Sequence, residues 1–138
     1  MQKIVVGFDG SDHARRALER AVALAKGGGN VTVVSSADVS RLMRDPAGGA
    51  AAVDPADAEE RTKALEEARA FLSGQGIDAR YVEGHGDPAA VLVQEAENSG
   101  ADLIIVGTRG LNFAQRWLIG SVSTKVVQHS PCDVLVVR

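Results

Sequence analysis

Four short apolar runs and one mixed run punctuate this chain, and the stretches between them are long enough to hold helices. The runs are Ile4-Val5-Val6-Gly7-Phe8, Val31 to Val34, Ile77 to Glu83, Leu103 to Val106, and Val134 to Val137. Short runs of β-branched residues bounded by turn formers predict buried strands. Parallel neighbours need a long crossover connection, so regular alternation of strands with helices predicts a parallel sheet with helices on both faces. The first, second, fourth and fifth runs are apolar at successive positions. Strands covered on both sides have that pattern.

The intervening segments carry helix signals. Ala14, Ala17, Leu18, Ala21, Val22 and Ala25 recur at helical spacing, and Arg15, Arg16, Glu19 and Arg20 fall on the other face. Ser11 or Asp12 can cap this helix, and Gly27-Gly28-Gly29 ends it. Asp54-Pro55 predicts the next helix start, with Asp54 as cap and Pro55 as the first helical residue. That helix runs to about Ser73 and ends at Gly74 or Gly76. Asp87-Pro88 repeats the signal for a helix to about Ser99. Ser121 to Gln128 is the last. Residues 37–54 hold Pro46, Gly48 and Gly49 with little periodicity and read as a mobile loop, with room for a short helix near Arg41 to Arg44. The order is β-α-β-α-β-α-β-α-β. Neither linker nor internal repeat divides the chain, so residues 1–138 are expected to form one domain.

Composition narrows the function. The chain has 138 residues, 45% apolar and 24% charged, which is a soluble globular balance. Fifteen basic residues against eighteen acidic leave a net charge of -3. A general nucleic-acid binder is usually basic, so no nucleic-acid partner is expected. No apolar run approaches bilayer length, so membrane insertion is not expected either. The N-terminus does not read as a signal peptide. Cys132 is the single cysteine. An intrachain disulfide is thereby excluded, and a cytoplasmic location fits best.

In open α/β sheets, ligands bind beyond the carboxyl ends of the strands. Four loops lie there: Asp9-Gly10-Ser11, Ser35 to Asp38, Glu83 to Asp87, and the segment after Val106. The last reads Gly107-Thr108-Arg109-Gly110, nine residues, then Gly120-Ser121-Val122-Ser123. Glycines let the backbone approach a ligand closely, and the free N–H groups of a helix start favour anions. Ser121 and Ser123 offer hydroxyl donors, and Arg109 and Arg116 offer positive charge. Such parts suit a phosphate chain. A plain strand-to-helix connection with glycine turns would use the same residues.

Other motifs lead nowhere. Gly84-His85-Gly86-Asp87-Pro88-Ala89 matches a dinucleotide fingerprint formally but lacks the acid about twenty residues later. A Walker lysine is absent. A phosphorelay receiver would need an aspartate after the third strand and a lysine after the fifth; the chain has Glu83-Gly84-His85 and Arg138. His13, His85 and His129 show no paired metal spacing. His85 reads as a solvated turn residue, with a reach from its loop to a ligand as the alternative, and Cys132 reads as an inert buried thiol. Phe113 and Trp117-Leu118-Ile119 either pack over the sheet or form a partner surface.

The spacing Gly107-x2-Gly110-x9-Gly120-Ser121 resembles the ATP-binding signature of the universal stress protein family. The resemblance covers nearly the whole chain. It includes Ile4 to Ser11, the Gly86-Asp87-Pro88 turn, Ala101 to Gly107, Gly120-Ser121-Val122-Ser123, and Ser130 to Val137. It implies a three-layer α/β/α sandwich whose five-stranded parallel sheet has order 3-2-1-4-5. Gly107, Gly110, Gly120, Ser121 and Val122 would surround phosphates and ribose, with Arg109 and Ser123 in the same site. Asp9, flanked by Gly10 and Ser11, would hold ribose or a divalent metal, Mg²⁺ or Mn²⁺. Backbone groups near Ser36 would read adenine, although Ser35-Ser36-Ala37 departs from the family's apolar or histidine-containing pattern there. The implied cofactor is ATP, or AMP or ADP in its place. The implied assembly is a homodimer joined along Val134 to Val137. The implied role is a nucleotide-dependent regulatory or stress-response protein acting on a protein partner. The alternatives are a slow ATPase or phosphotransferase using Asp9 and Arg109, and a nucleotide-free dimeric scaffold. No catalytic residue stands out.

Overall fold

A computed structural model describes residues 2–36, 55–108 and 121–138. The elements are β1 (Lys3–Gly7), α1 (Asp12–Ala25), β2 (Asn30–Ser36), α2 (Pro55–Gly74), β3 (Ala79–Gly84), α3 (Pro88–Ser99), β4 (Leu103–Gly107), α4 (Ser121–His129) and β5 (Asp133–Val137). The five strands form one parallel sheet in the order β3-β2-β1-β4-β5. The expected order is therefore observed. The expected loop at 37–54, the Asp54 cap, and Phe113 and Trp117 lie outside the described residues.

Strand alternation divides the core between the two faces. Ile4, Val6, Val31, Val33 and Ile105 point towards α1 and α2, where Leu18, Val22, Leu65 and Leu72 meet them. Val5, Val34, Ile104 and Val106 point towards α3 and α4, against Leu92 and Val126. Successive side chains of a strand face opposite ways, so a run such as Leu103 to Val106 must be apolar throughout to serve both layers.

Ser11 rather than Asp12 caps α1: its Oγ accepts from the Ala14 N–H at 3.2 Å. The third strand begins at Ala79, two residues later than the expected start at Ile77. Gly76 has φ +74°, and the Ile77 N–H donates to the Leu72 carbonyl at 3.0 Å while the Gly76 N–H donates to Ser73. These two bonds are the Schellman closure of α2, so the backbone of Ile77 belongs to the helix end. Its side chain packs against the α1–α2 core.

The two edge strands differ in chemistry. On β3, Arg80 and Glu83 are exposed. Arg80 pairs with Glu95 of α3, Arg69 of α2 lies 4.5 Å from the centre of the Tyr81 ring, and the Thr62 hydroxyl donates to Glu83 at 3.1 Å. On β5, Val134, Leu135 and Val136 are half-buried, and Val127 of the neighbouring α4 is 53% exposed.

Candidate functional site

The strand order reverses at β1. From there the chain passes through α1 to β2 on one side, and β4 pairs on the other. Crossover connections leave this position in opposite directions and open a crevice at the carboxyl ends. Asp9 and Gly107 end up at this crevice because they leave the adjacent strands β1 and β4.

The β1 side is a tight turn into a helix. The Phe8 N–H donates to the Val34 carbonyl at 2.9 Å and carries the strand direction one residue past Gly7. Asp9 is exposed, and its Oδ1 accepts from the Ser11 N–H at 2.9 Å. The other carboxylate oxygen has no contact among the described residues. Gly10 has φ +85°, a conformation that favours glycine. The Ser11 hydroxyl is buried and committed to the α1 cap. Capping leaves the start of α1, with its positive end, facing the β4 exit.

The β4 side is pinned from three directions. The Thr108 N–H donates to the Val137 carbonyl of β5 at 2.8 Å. Ser123 of α4 is 2% exposed, and its Oγ lies 3.0 Å from the Gly107 carbonyl and 3.1 Å from that of Thr108. Its one hydroxyl proton is thus directed at the main chain, where it fastens the exit of β4. Thr108 Oγ1 lies 3.0 Å from Nδ1 of His13 in the first turn of α1. Gly107 itself presses on that turn: a Cβ there would stand 2.7 Å from His13 Cβ and 2.9 Å from its carbonyl carbon.

The remaining expected positions are spread around these two. Ser121 opens α4, and Val122 packs half-buried into the α3–α4 face. Ser36 is the last residue of β2 and pairs with Gly84 of β3. Arg109, Gly110 and Gly120 lie outside the described residues. His85 is not a merely solvated turn residue: its Nδ1 lies 3.1 Å from Nη1 of Arg61. Cys132 is half-buried rather than sealed, with its sulfur 3.6 Å from the Ser130 hydroxyl.

Two contacts escape a reading of the sequence: His13 with Thr108, and Arg61 with His85. The His13–Thr108 contact joins residues 95 apart, and no local pattern announces it. Arg61 does leave a trace. It shares its helical stripe with Ala64, Leu65, Ala68 and Leu72, so a cation sits where the pattern calls for an apolar side chain.

Among the described residues, no group of three His, Cys, Asp or Glu side chains is placed to hold a metal. Among these residues, Asp9 could contribute one carboxylate oxygen to a metal at the crevice. One carboxylate completed by ligand phosphates is a common arrangement for Mg²⁺. No helix among the described residues is long and apolar enough to cross a membrane.

Comparison with known proteins agrees with this architecture. The model of the Universal stress protein family matches residues 1–138. Universal stress protein YxiE of Bacillus subtilis is 33% identical over 145 aligned positions, covering 99% of this chain and 98% of that protein. Universal stress protein UspA from Lactobacillus plantarum superposes with a TM-score of 0.80 at 28% identity, covering 99% of this chain and 97% of that one. The universal stress protein from Archaeoglobus fulgidus in complex with dAMP superposes with a TM-score of 0.77 at 25% identity, covering 100% and 98%. Match along the whole length, strand order and the glycine spacing all agree: the chain belongs to the universal stress protein family.

Proposed function

We propose that this protein binds an adenine nucleotide, ATP foremost with AMP or ADP as alternatives, in the crevice between β1 and β4. It would act as a nucleotide-dependent regulatory or stress-response protein of the cytoplasm. The observation that carries this reading is the placement of Asp9 and Gly107 on adjacent strand ends at the point of order reversal. The dAMP complex of the related Archaeoglobus fulgidus protein supports the ligand class. Phosphates would lie along the backbone of Gly107, Gly110, Gly120, Ser121 and Val122, with Arg109 nearby. Ser123 would act by holding the exit of β4. Asp9, with Gly10 and Ser11 shaping its turn, would take the ribose or a Mg²⁺ or Mn²⁺ ion carried by the nucleotide. When bound, that ion offsets the repulsion between the carboxylate and the phosphates. Backbone groups of Ser36 would meet the base.

Calorimetric titration with Mg-ATP tests the reading. Saturable heat and a raised unfolding temperature are expected. No heat and no thermal shift at millimolar ATP would refute it. Gly120→Leu is expected to abolish binding with an unchanged circular dichroism spectrum. Identifying by mass any small molecule that copurifies would name the nucleotide.

A further inference from the structure

Arg61 lies on the core-facing stripe of α2 and is 6% exposed. Its Nη1 donates to the Gly84 carbonyl at 2.8 Å and reaches His85 Nδ1 at 3.1 Å, while its buried Nε has no partner among the described residues. A guanidinium has donors only and stays charged. In this contact Nδ1 of His85 must therefore be the acceptor, with its lone pair free of a proton. The ring is then the neutral tautomer with hydrogen on Nε2. His85 is itself exposed. A buried cation thus selects one tautomer of an exposed imidazole at the carboxyl rim of the sheet.

The position of that rim gives the donor a use. Gly84 is the direct ladder partner of Ser36. Neighbouring strands stand about 4.8 Å apart, so three intervals from β4 to β3 cover about 14 Å. That is the reach of an extended nucleoside polyphosphate. With phosphates at β4, sugar at β1 and base at β2, the edge of the base remote from the sugar faces β3. In adenine this edge carries a ring nitrogen with an accepting lone pair.

We infer that His85 contacts the ligand, its Nε2–H donating to an acceptor nitrogen on the base edge of the bound adenine nucleotide. Arg61 is the positioning residue that fixes the tautomer. The inference rests on the nucleotide reading above and adds a base-recognising residue to it. Rotation of the guanidinium is opposed by the Gly84 carbonyl. The same end of β3 is gripped from the other face by α3, since a Cβ on Gly84 would clash with Val91 Cγ1. The imidazole therefore stands on a braced strand end.

The test separates the two nitrogens. In His85→Asn the side-chain oxygen falls near the place of Nδ1 and can still accept from Arg61, but the Nε2–H is gone. The full-length variant is expected to unfold at the wild-type temperature and to bind ATP about 3- to 10-fold more weakly in calorimetry. His85→Ala should show the same affinity loss with a lower unfolding temperature. Two-bond ¹H–¹⁵N spectra of the histidine ring should show the Nε2–H tautomer, with a shift at Nε2 on addition of ATP. Wild-type ATP affinity in His85→Asn overturns the ligand contact while leaving the nucleotide reading intact. An Nδ1–H tautomer overturns the role of Arg61. A wild-type protein that ignores ATP overturns both the nucleotide reading and this one.

Discussion

A methyl group at Gly107 would collide with α1 before it met any ligand, because His13 Cβ and the His13 carbonyl carbon stand within 3 Å of its place. Backbone atoms cannot rotate away as a side-chain tip can. Gly107→Ala is therefore expected to destabilise the ligand-free protein by about 1–3 kcal/mol. Thermal denaturation should show the midpoint falling by at least a few degrees. An unchanged midpoint would mean that the helix start yields freely. The neighbouring His13–Thr108 bond can be isolated by a double-mutant cycle with His13→Ala and Thr108→Val. A coupling of about 0.5–1.5 kcal/mol is expected, and additive losses would dismiss it. Tyr81 reports on pH. Burial pushes its phenol above the ordinary value of 10, helped by Asp78 and opposed by Arg69. The folded state then holds the proton more tightly than the unfolded chain. Below pH 10 this makes no difference to stability, and above it stability falls as the pH rises. Tyr81→Phe should flatten that alkaline fall in denaturant titrations.

Helix ends show which parts of an element a sequence can announce. Asp87 caps α3, accepting from the Ala90 N–H at 3.1 Å, and its other oxygen lies 3.7 Å from Lys125 of α4. Asp87→Ala is expected to cost about 0.5–2 kcal/mol and to speed hydrogen exchange at the first amides of α3. This cap was readable because its chemistry is local: an acid, then a proline, then the helix. The α2 terminus was less readable. Leu72, Gly76 and Ile77 close it through backbone bonds, which pulls an apolar residue out of the strand pattern. The Ser11 and Asp12 alternatives were separable only by seeing which oxygen reaches Ala14.

The alternation of apolar runs was enough to state a parallel, two-faced sheet, but strand order came from family resemblance, since periodicity does not say which strands are neighbours. The same division runs through the site. Asp9 and the glycine spacing stand out in the sequence because each follows a strand end. His13 with Thr108, and Arg61 with His85, depend on helices docking across the sheet, and no spacing encodes that. The expected pairing of two chains along Val134 to Val137 belongs to this scale. Sedimentation at micromolar concentration should show a dimer, and a monomer alone would rule the pairing out. The unequal edges of the sheet favour it. The β3 rim is guarded by Arg80, Glu83 and their partners, whereas β5 offers valines and a leucine. Fibre growth by strand addition consumes two sticky rims per subunit, one for each neighbour. With one such rim among the described strands, the expected pairing along β5 would stop at two chains instead of growing into a fibre.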